Sequence, residues 1–408
     1  MFPSLHQHRL ARPIHLLSMS SMTSDLPTRP RRTFLASSSA GDDDSIHASY
    51  GIFEAFGTSK SFYLPGDAAE DRHKPNLVRL LAFLAGIGVN VFSTNLIQLD
   101  FNGQNGEELG SGAFKKVRLG SYEGRAVAVK ALKVSPMFKT GNAAVDATMV
   151  QEYHSLIQDI LMEIRVMSHV ALSQHPNLVD LVAVAFEDVP DSSMRVDFFR
   201  PILLLRPSDQ KHPDLRRLLD DPQTGELFTD DFAISLICDI ADGLAALHTF
   251  GVVHADLKPE NILLYTTGEQ VTAKISDFGL SGVLQSRDLA GAGDRVWRPP
   301  ERLSSRSASP QQLGDVFTFG LLAASIYLKI GDPWPVELKG VELDHFRLKP
   351  GDSVCSYLCH RILTRNAEEL ATFGHQEKML TLVNATVARS PSNRIKNLSL
   401  VRPFLSGE

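Results

Sequence analysis

A disulfide framework, a membrane span and a strong excess of charge are all missing from this chain of 408 residues. Its three cysteines, Cys238, Cys355 and Cys359, are too few to staple a fold and point to a reducing compartment. No apolar run reaches the roughly 18 residues that a bilayer crossing requires. The longest, 77–89 and 321–328, are short or interrupted by Arg79. A net charge of −6 offers no basic surface to displace the counterions of DNA or RNA, which argues against a general nucleic-acid binder. The expectation is a soluble, cytoplasmic chain with no membrane span. What is present is ordinary for a globular protein: 43% apolar and 22% charged residues. The length suits two or three domains, or one large two-lobed domain with flanking segments.

Residues 1–74 differ from the rest. Ser, Pro, Arg and His dominate 1–40, an acidic DDD follows at 42–44, no apolar periodicity persists, and such a stretch buries too little surface to offset its ordering entropy, so a disordered tail is expected. Residues 1–24 also hold Arg9, Arg12 and several Ser without Asp or Glu, a composition shared by organelle transit peptides. From Asn76 the spacing predicts a helix that stops near Gly86 and Gly88, then a strand-like run over 91–101, and this 75–104 segment leads into the main domain.

Residues 109–117 read LGSGAFKKV and are followed by strand-like RLGSYEG and RAVAVKALK, which predicts a hairpin around a glycine turn. Glycine at 110 and 112 lets backbone N–H groups approach phosphate oxygens that a Cβ would keep away. Just downstream, alternation along the strand points Lys130 inward, where a buried ammonium needs an anionic partner. Two carboxylates qualify. Glu163 lies within the apolar helical pattern of DILMEIRVMSHV, and Glu152 is its rival on the same side. Residues 135–150 read as an inserted loop.

The strongest signal is VVHADLKPENILL at 252–264, where apolar flanks bracket a polar loop holding a His, an Asp, a Lys and an Asn. KISDFGL at 274–280 then supplies another Asp between a strand and a glycine. The oxygens of Asn261 and Asp277 suit Mg2+, which prefers oxygen ligands together with substrate phosphates.

In order along the chain, these motifs resemble those of the eukaryotic protein kinases. LGSGAFKKV resembles the glycine-rich loop, AVK the strand lysine, HADLKPEN the catalytic loop and DFG at 277–279 the metal-binding motif. WRPPE at 297–301 is similar to the end of an activation segment, with Glu301 facing Arg394, and DVFTFG at 315–320 resembles the start of the central helix of the large lobe. The resemblance implies an α+β, bilobal protein kinase fold over 105–404. Its small lobe (105–205) would be antiparallel strands plus one helix, its large lobe (206–404) mainly helical, with a hinge near Leu203–Pro207. It implies ATP and Mg2+ as cofactors and a protein as substrate. Leu109, Gly110, Ser111 and Gly112 would cover the nucleotide, Val117 and Ala128 would sandwich the adenine, and Lys130, held by Glu163, would bind the α- and β-phosphates. Asn261 and Asp277 would hold the metal. Asp256 would orient the acceptor hydroxyl and Lys258 would steady the γ-phosphate. A lysine two residues after that Asp goes with Ser/Thr specificity in this family. The competing implication is a pseudokinase that binds nucleotide or scaffolds partners without transfer, and a small-molecule kinase is disfavoured by PPE and DVFTFG.

Three positions depart from the family pattern. Ala255 stands where most members carry an Arg that reads a phosphorylated activation segment, which implies control of another kind. Lys115 replaces the third glycine of the loop and is expected to stiffen it without removing a catalytic group, and with Ala255 and Asp294 it counts toward the pseudokinase alternative. Asp294 either repels Asp256 or weakens peptide docking, or else simply faces solvent. Outside these motifs, Asp214 reads as a helix N-cap. Cys355 and Cys359 share a helix face beside His360 and read as core rather than as metal ligands. Ser281 and Ser286 are loop serines open to modification.

Overall fold

The computed structural model describes residues 84, 89–93, 108–111, 115–132, 155–156, 159–188, 199–225, 228–283, 293–304, 311–349, 353–365 and 373–407. The expectations for 1–74, Gly112, the 135–150 insertion, Glu152 and Ser286 lie outside these residues.

Alternation governs the first lobe. Strands β1 (Asn90–Ser93), β2 (Glu108–Ser111), β3 (Lys115–Tyr122), β4 (Arg125–Leu132), β5 (Leu181–Asp188) and β6 (Phe199–Leu205) form one sheet in the order β1-β5-β6-β4-β3-β2. All neighbours are antiparallel except β1 and β5. Because side chains alternate across a sheet, β4 divides its residues between two layers. Val127 and Val129 join Tyr122, Ala183, Ala185, Ile202 and Leu204 on one face. Ala128 and Leu132 face the opposite way, onto the main core. Helix α1 (159–168) lies within that core, with Ile160, Leu161, Ile164, Val166 and Met167 all buried. Lys130 is thereby directed toward the helix.

The segment before residue 105 does more than lead into the domain. Leu84 is helical and fully buried, and β1 adds a parallel strand, Asn90 opposite Ala183 and Ser93 opposite Phe186. The small-lobe sheet therefore starts earlier than 105, and it is antiparallel apart from this pair.

The second lobe is helical around α2 (Leu215–Asp220), α3 (Asp230–Thr249), α4 (Pro300–Ser304), α5 (Gln312–Leu328), α6 (Gly340–Leu348), α7 (Ser353–Arg365), α8 (Phe373–Thr386) and α9 (Val401–Ser406). Helix α3 starts where Thr229 Oγ1 accepts the N–H of Phe232 at 3.1 Å, with Asp230 and Asp231 in the favourable first turn. Its buried stripe, Ala233, Leu236, Ile237, Ile240, Leu244 and Leu247, follows the helical period. Among the described residues α3 alone has the length and composition to cross a bilayer, and most of it is packed inside the lobe. Helix α5 is apolar nearly all round and is buried accordingly, between α3 and α8. Asp214 is the N-cap of α2, accepting from Arg217 N at 2.9 Å.

Between the lobes runs a set of short strands: β7 (Val252–Val253), the β8 (Ile262–Thr267) and β9 (Gln270–Ile275) hairpin, and β10 (Gly282–Val283), which pairs with β7. The hairpin is anchored on α3 by Asp239, which accepts from the buried N–H of Ala273 at 2.9 Å. It is tied to the upper lobe by Val179 N to Ile275 O at 3.0 Å and Ile275 N to Asn177 O at 2.9 Å. The loops leaving β7 and β9 thus open at the seam of the two lobes.

Candidate active site

Register on the sheet sets the first half of the site. Lys130 pairs with Val117 on one side and Leu203 on the other, and cross-strand partners share a face. Its ammonium lies 2.7 Å from Oε2 of Glu163 and 3.1 Å from Oδ1 of Asp277. The buried anion that Lys130 requires is therefore Glu163, itself only 1% exposed. Val117 is half-buried and Ala128 buried on the same sheet. Gly110 pairs with Val117 and Ser111 with Lys116 along β2–β3. The carbonyl of Leu109 accepts from Arg217 Nη2 at 3.0 Å, so a residue of the large lobe touches the glycine turn.

Lys115 departs from expectation. Rather than only stiffening the turn, its ammonium reaches Oε1 of Glu163 and sits 3.0 Å from Oδ1 of Asp277. Gly279 makes room for it: a Cβ there would stand 2.6 Å from Lys115 Nζ and 3.0 Å from Glu163 Oε1. Two ammoniums and two carboxylates share one small space, and their ionisation follows. Burial alone would lower the pKa of Lys115, but Glu163 and Asp277 outweigh it and raise that pKa. Burial raises Glu163 above the usual carboxylate range despite the pull of both lysines. Asp277, which burial would also raise, is instead carried well below that range by Lys130 and Lys115.

The second half is the loop between β7 and β8. His254 is fully buried. Its ring nitrogen Nε2 is 3.0 Å from the carbonyl of Ser276 and its Nδ1 accepts from Asp256 N at 3.3 Å, which fixes the tautomer with the proton on Nε2. Ala255 adopts φ 69, and the loop holds that left-handed turn because Asp315 accepts both neighbouring N–H groups, His254 at 2.8 Å and Ala255 at 3.0 Å. Downstream, the Asp256 carboxylate is surrounded by donors. Lys258 Nζ is 3.0 Å from Oδ2, Asn261 Nδ2 3.1 Å from Oδ2, and the backbone N–H of Asp294 2.7 Å from Oδ1. Asp256 raises the pKa of Lys258 against the opposing effect of burial.

Asp294 thus takes the second of its two alternatives: its side chain is exposed to solvent, and its contact with Asp256 is a favourable one. Its amide binds that carboxylate while its own Oδ1 turns back to accept Val296 N at 2.9 Å. Gly293 before it takes φ 81, and a Cβ there would meet the Ala255 carbonyl at 2.5 Å. Glu301 and Arg394 form the expected pair, bidentate at 2.7 and 2.8 Å. Sequence reasoning missed the reach of Lys115, the amide of Asp294 and the anchoring by Asp315. An acid in the first turn of an otherwise apolar helix was the available signal for the last.

The residues fit a divalent cation bound together with phosphates. Both hydrogens of Asn261 Nδ2 go to Asp256, one to its carbonyl at 2.7 Å, so the amide oxygen is the atom left for a ligand. Ser276, next to Asp277, is fastened to the carbonyl of Asn261 through its N–H at 2.9 Å and its hydroxyl at 3.0 Å. These hard oxygen donors are too few for a closed metal cage, as expected where substrate oxygens complete the shell. Among the described residues no group of three His, Cys, Asp or Glu could hold a metal. Cys355 is buried core, 3.2 Å from Asn384 Oδ1.

Comparison with known proteins agrees with this geometry. The Protein kinase domain family matches residues 104–402. The chain is 27% identical over 275 residues to the probable serine/threonine-protein kinase pats1 of Dictyostelium discoideum, covering 64% of this chain and 8% of that protein. It is 32% identical over 236 residues to the tyrosine-protein kinase csk-1 of Caenorhabditis elegans, covering 56% and 36%. Against the serine/threonine/tyrosine-protein kinase HT1 of Arabidopsis thaliana it is 27% identical over 219 residues, covering 53% and 48%. The chain thus spans less than half the length of each of these relatives. With motifs, fold and site in one order along the chain, it belongs to the protein kinase domain family.

Proposed function

We propose that this chain transfers the γ-phosphoryl group of ATP, in the presence of Mg2+, to a Ser or Thr hydroxyl of a protein. The observation that carries the reading is the grouping of Lys258 and Asn261 on the Asp256 carboxylate, at 3.0 and 3.1 Å. Asp256 would accept the hydrogen bond of the acceptor hydroxyl and take its proton as the phosphoryl group transfers. Lys258, already beside it, would turn to the γ-phosphate and offset charge developing there. Lys130 would bind the α- and β-phosphates, with Glu163 holding its ammonium in place. Leu109, Gly110, Ser111 and Gly112 would lie over the nucleotide, with Val117 and Ala128 against the adenine. Asn261 and Asp277 would hold Mg2+, which supplies charge neutralisation between the phosphates. Catalysis on this arrangement is positioning and electrostatics, since the loose transition state asks little covalent help.

The choice of Ser/Thr rests on Lys258 two residues after Asp256. The relatives named above carry serine/threonine, tyrosine and mixed descriptions, so they leave that choice to the site. Ala255 supports activity that needs no phosphorylated segment. Protein groups already hold the region before α4: Arg298 Nη2 donates to Gly293 O at 2.7 Å and Arg347 Nη1 to Arg295 O at 2.7 Å. A nucleotide-binding protein without transfer is the second reading, favoured by the two ammoniums on Asp277.

The test is phosphate transfer from labelled ATP to peptide pools bearing Ser, Thr or Tyr, with Mg2+, by wild type and Asp277→Asn. Transfer to Ser and Thr by wild type alone is expected. Equal incorporation by both proteins would remove the enzyme reading, and transfer to Tyr alone would remove the specificity. A rate unchanged by phosphatase pretreatment is expected from Ala255.

A further inference from the structure

We propose that Lys115 is a second phosphate-binding cation, whose ammonium passes from Asp277 to the nucleotide's phosphate oxygens and shares their charge with Lys130. This rests on the reading of the cleft as a nucleotide site. Lys115 opens β3 opposite Leu132, two positions along from the Val117–Lys130 pair. With a side-chain period of two, Lys115 and Lys130 occupy the same face. Their ammoniums accordingly converge on the same two carboxylates.

The division of contacts is informative. Glu163 gives one oxygen to each lysine, Oε1 to Lys115 and Oε2 to Lys130, whereas Oδ1 of Asp277 receives both. Glu163 is thus a fixed fork behind two cations, and Asp277 is the anion they face in common. An ammonium has three hydrogens. One directed at Glu163 leaves others for the front of the site, where Asp277 now stands. A divalent cation on Asp277 would repel both ammoniums from it. The Lys115 side chain is largely enclosed, 16% exposed, and a lysine on a merely structural duty at the start of a strand would extend its head into water. With Asp277 taken, two enclosed ammoniums would share the single carboxylate of Glu163, one positive charge in excess. A magnesium-bound triphosphate still carries net negative charge and supplies the balancing anion beside Lys130. The glycine at 279, without which Lys115 Nζ would collide, keeps the approach open.

Equilibrium binding of ATP, ADP and adenosine to the full chain, with Mg2+ and with chelator, tests this in wild type, Lys115→Met, Lys130→Met and the double variant. Each single change should weaken ATP by about tenfold or more, the scale of one lost charge-assisted hydrogen bond. The double variant should weaken it further, adenosine affinity should stay level, and Lys115→Arg should remain close to wild type. Unchanged adenosine affinity also certifies a folded cleft, and Lys115→Gln replaces Lys115→Met if the latter does not fold. ATP affinity equal to or tighter than wild type without the Lys115 charge overturns the inference, the tighter outcome marking Lys115 as a plug. A wild type that binds no ATP is a different failure and strikes the nucleotide reading itself.

Discussion

Asp315 Oδ1 accepts the backbone N–H of Ala255 at 3.0 Å, and this bond joins the first turn of α5 to the loop that carries Asp256. The other oxygen serves His254 N at 2.8 Å and His248 Nε2 at 3.0 Å. An acid 3% exposed is tolerated there because every face of its carboxylate meets a donor.

Asp315→Asn tests that anchoring. The amide nitrogen must oppose one of the donors, losing a hydrogen bond to a charged acceptor that is worth about 1.5–3 kcal/mol. The melting temperature should fall by roughly 2–5 °C for a domain of this size. Because Asp315 acts on the loop and touches no substrate, kcat should drop with the KM for ATP little changed. A wild-type melting temperature together with wild-type kcat would show that the loop holds itself.

The contrast between what the sequence discloses and what it hides follows from the range of each interaction. Alternation in β4 was enough to turn Lys130 inward, and an acid within the apolar pattern of 160–167 made Glu163 one of two candidate partners, but only the fold chose it over Glu152. The polar loop at 254–261 announces itself because its neighbours are apolar on both sides. Lys115 looked like a lost glycine because its partners lie 48 and 162 residues away. The amide of Asp294 was hidden for another reason: its contribution comes from a backbone N–H, which no residue type advertises. The parallel pairing of β1 with β5 was hidden too, since a four-residue strand carries almost no pattern.

Arg394 and Glu301 provide the second prediction. The Arg394 guanidinium, wholly enclosed, donates to both Glu301 oxygens and to the carbonyls of Leu313, Ala388 and Arg389, and lies 4.8 Å over the ring of Phe317. Lysine cannot reproduce that planar fork. Arg394→Lys should destabilise the chain by about 3–5 kcal/mol, the scale of breaking a buried ion pair. Glu301→Gln should cost less, because Glu301 is 29% exposed and the carbonyls still satisfy Arg394. Denaturant unfolding of both singles and the double measures the coupling; additive losses would mean that the two side chains act independently.

The third prediction concerns a thiol away from the cleft. Cys355 and Cys359 stand one helical turn apart on α7 with their sulfurs 4.0 Å from each other. The hydrogen bond with Cys355 lowers Cys359 to about 7, overcoming the burial that would raise it, with help from Asn384. A thiolate is the reacting form, so alkylation of Cys359 by iodoacetamide should rise with a midpoint near pH 7, below the range of an ordinary thiol. Folding linkage runs in the same direction: a thiol pKa lower in the folded state adds stability above its unfolded value, and that stability disappears as pH falls through about 7. Cys355→Ser weakens the hydrogen bond and should move the alkylation midpoint upward, while Cys238 and Cys355, both buried, stay protected in the folded chain. Peptide mapping of the labelled cysteine against pH separates the cases. A midpoint for Cys359 that is the same in wild type and Cys355→Ser would show that the neighbouring sulfur does not set its acidity.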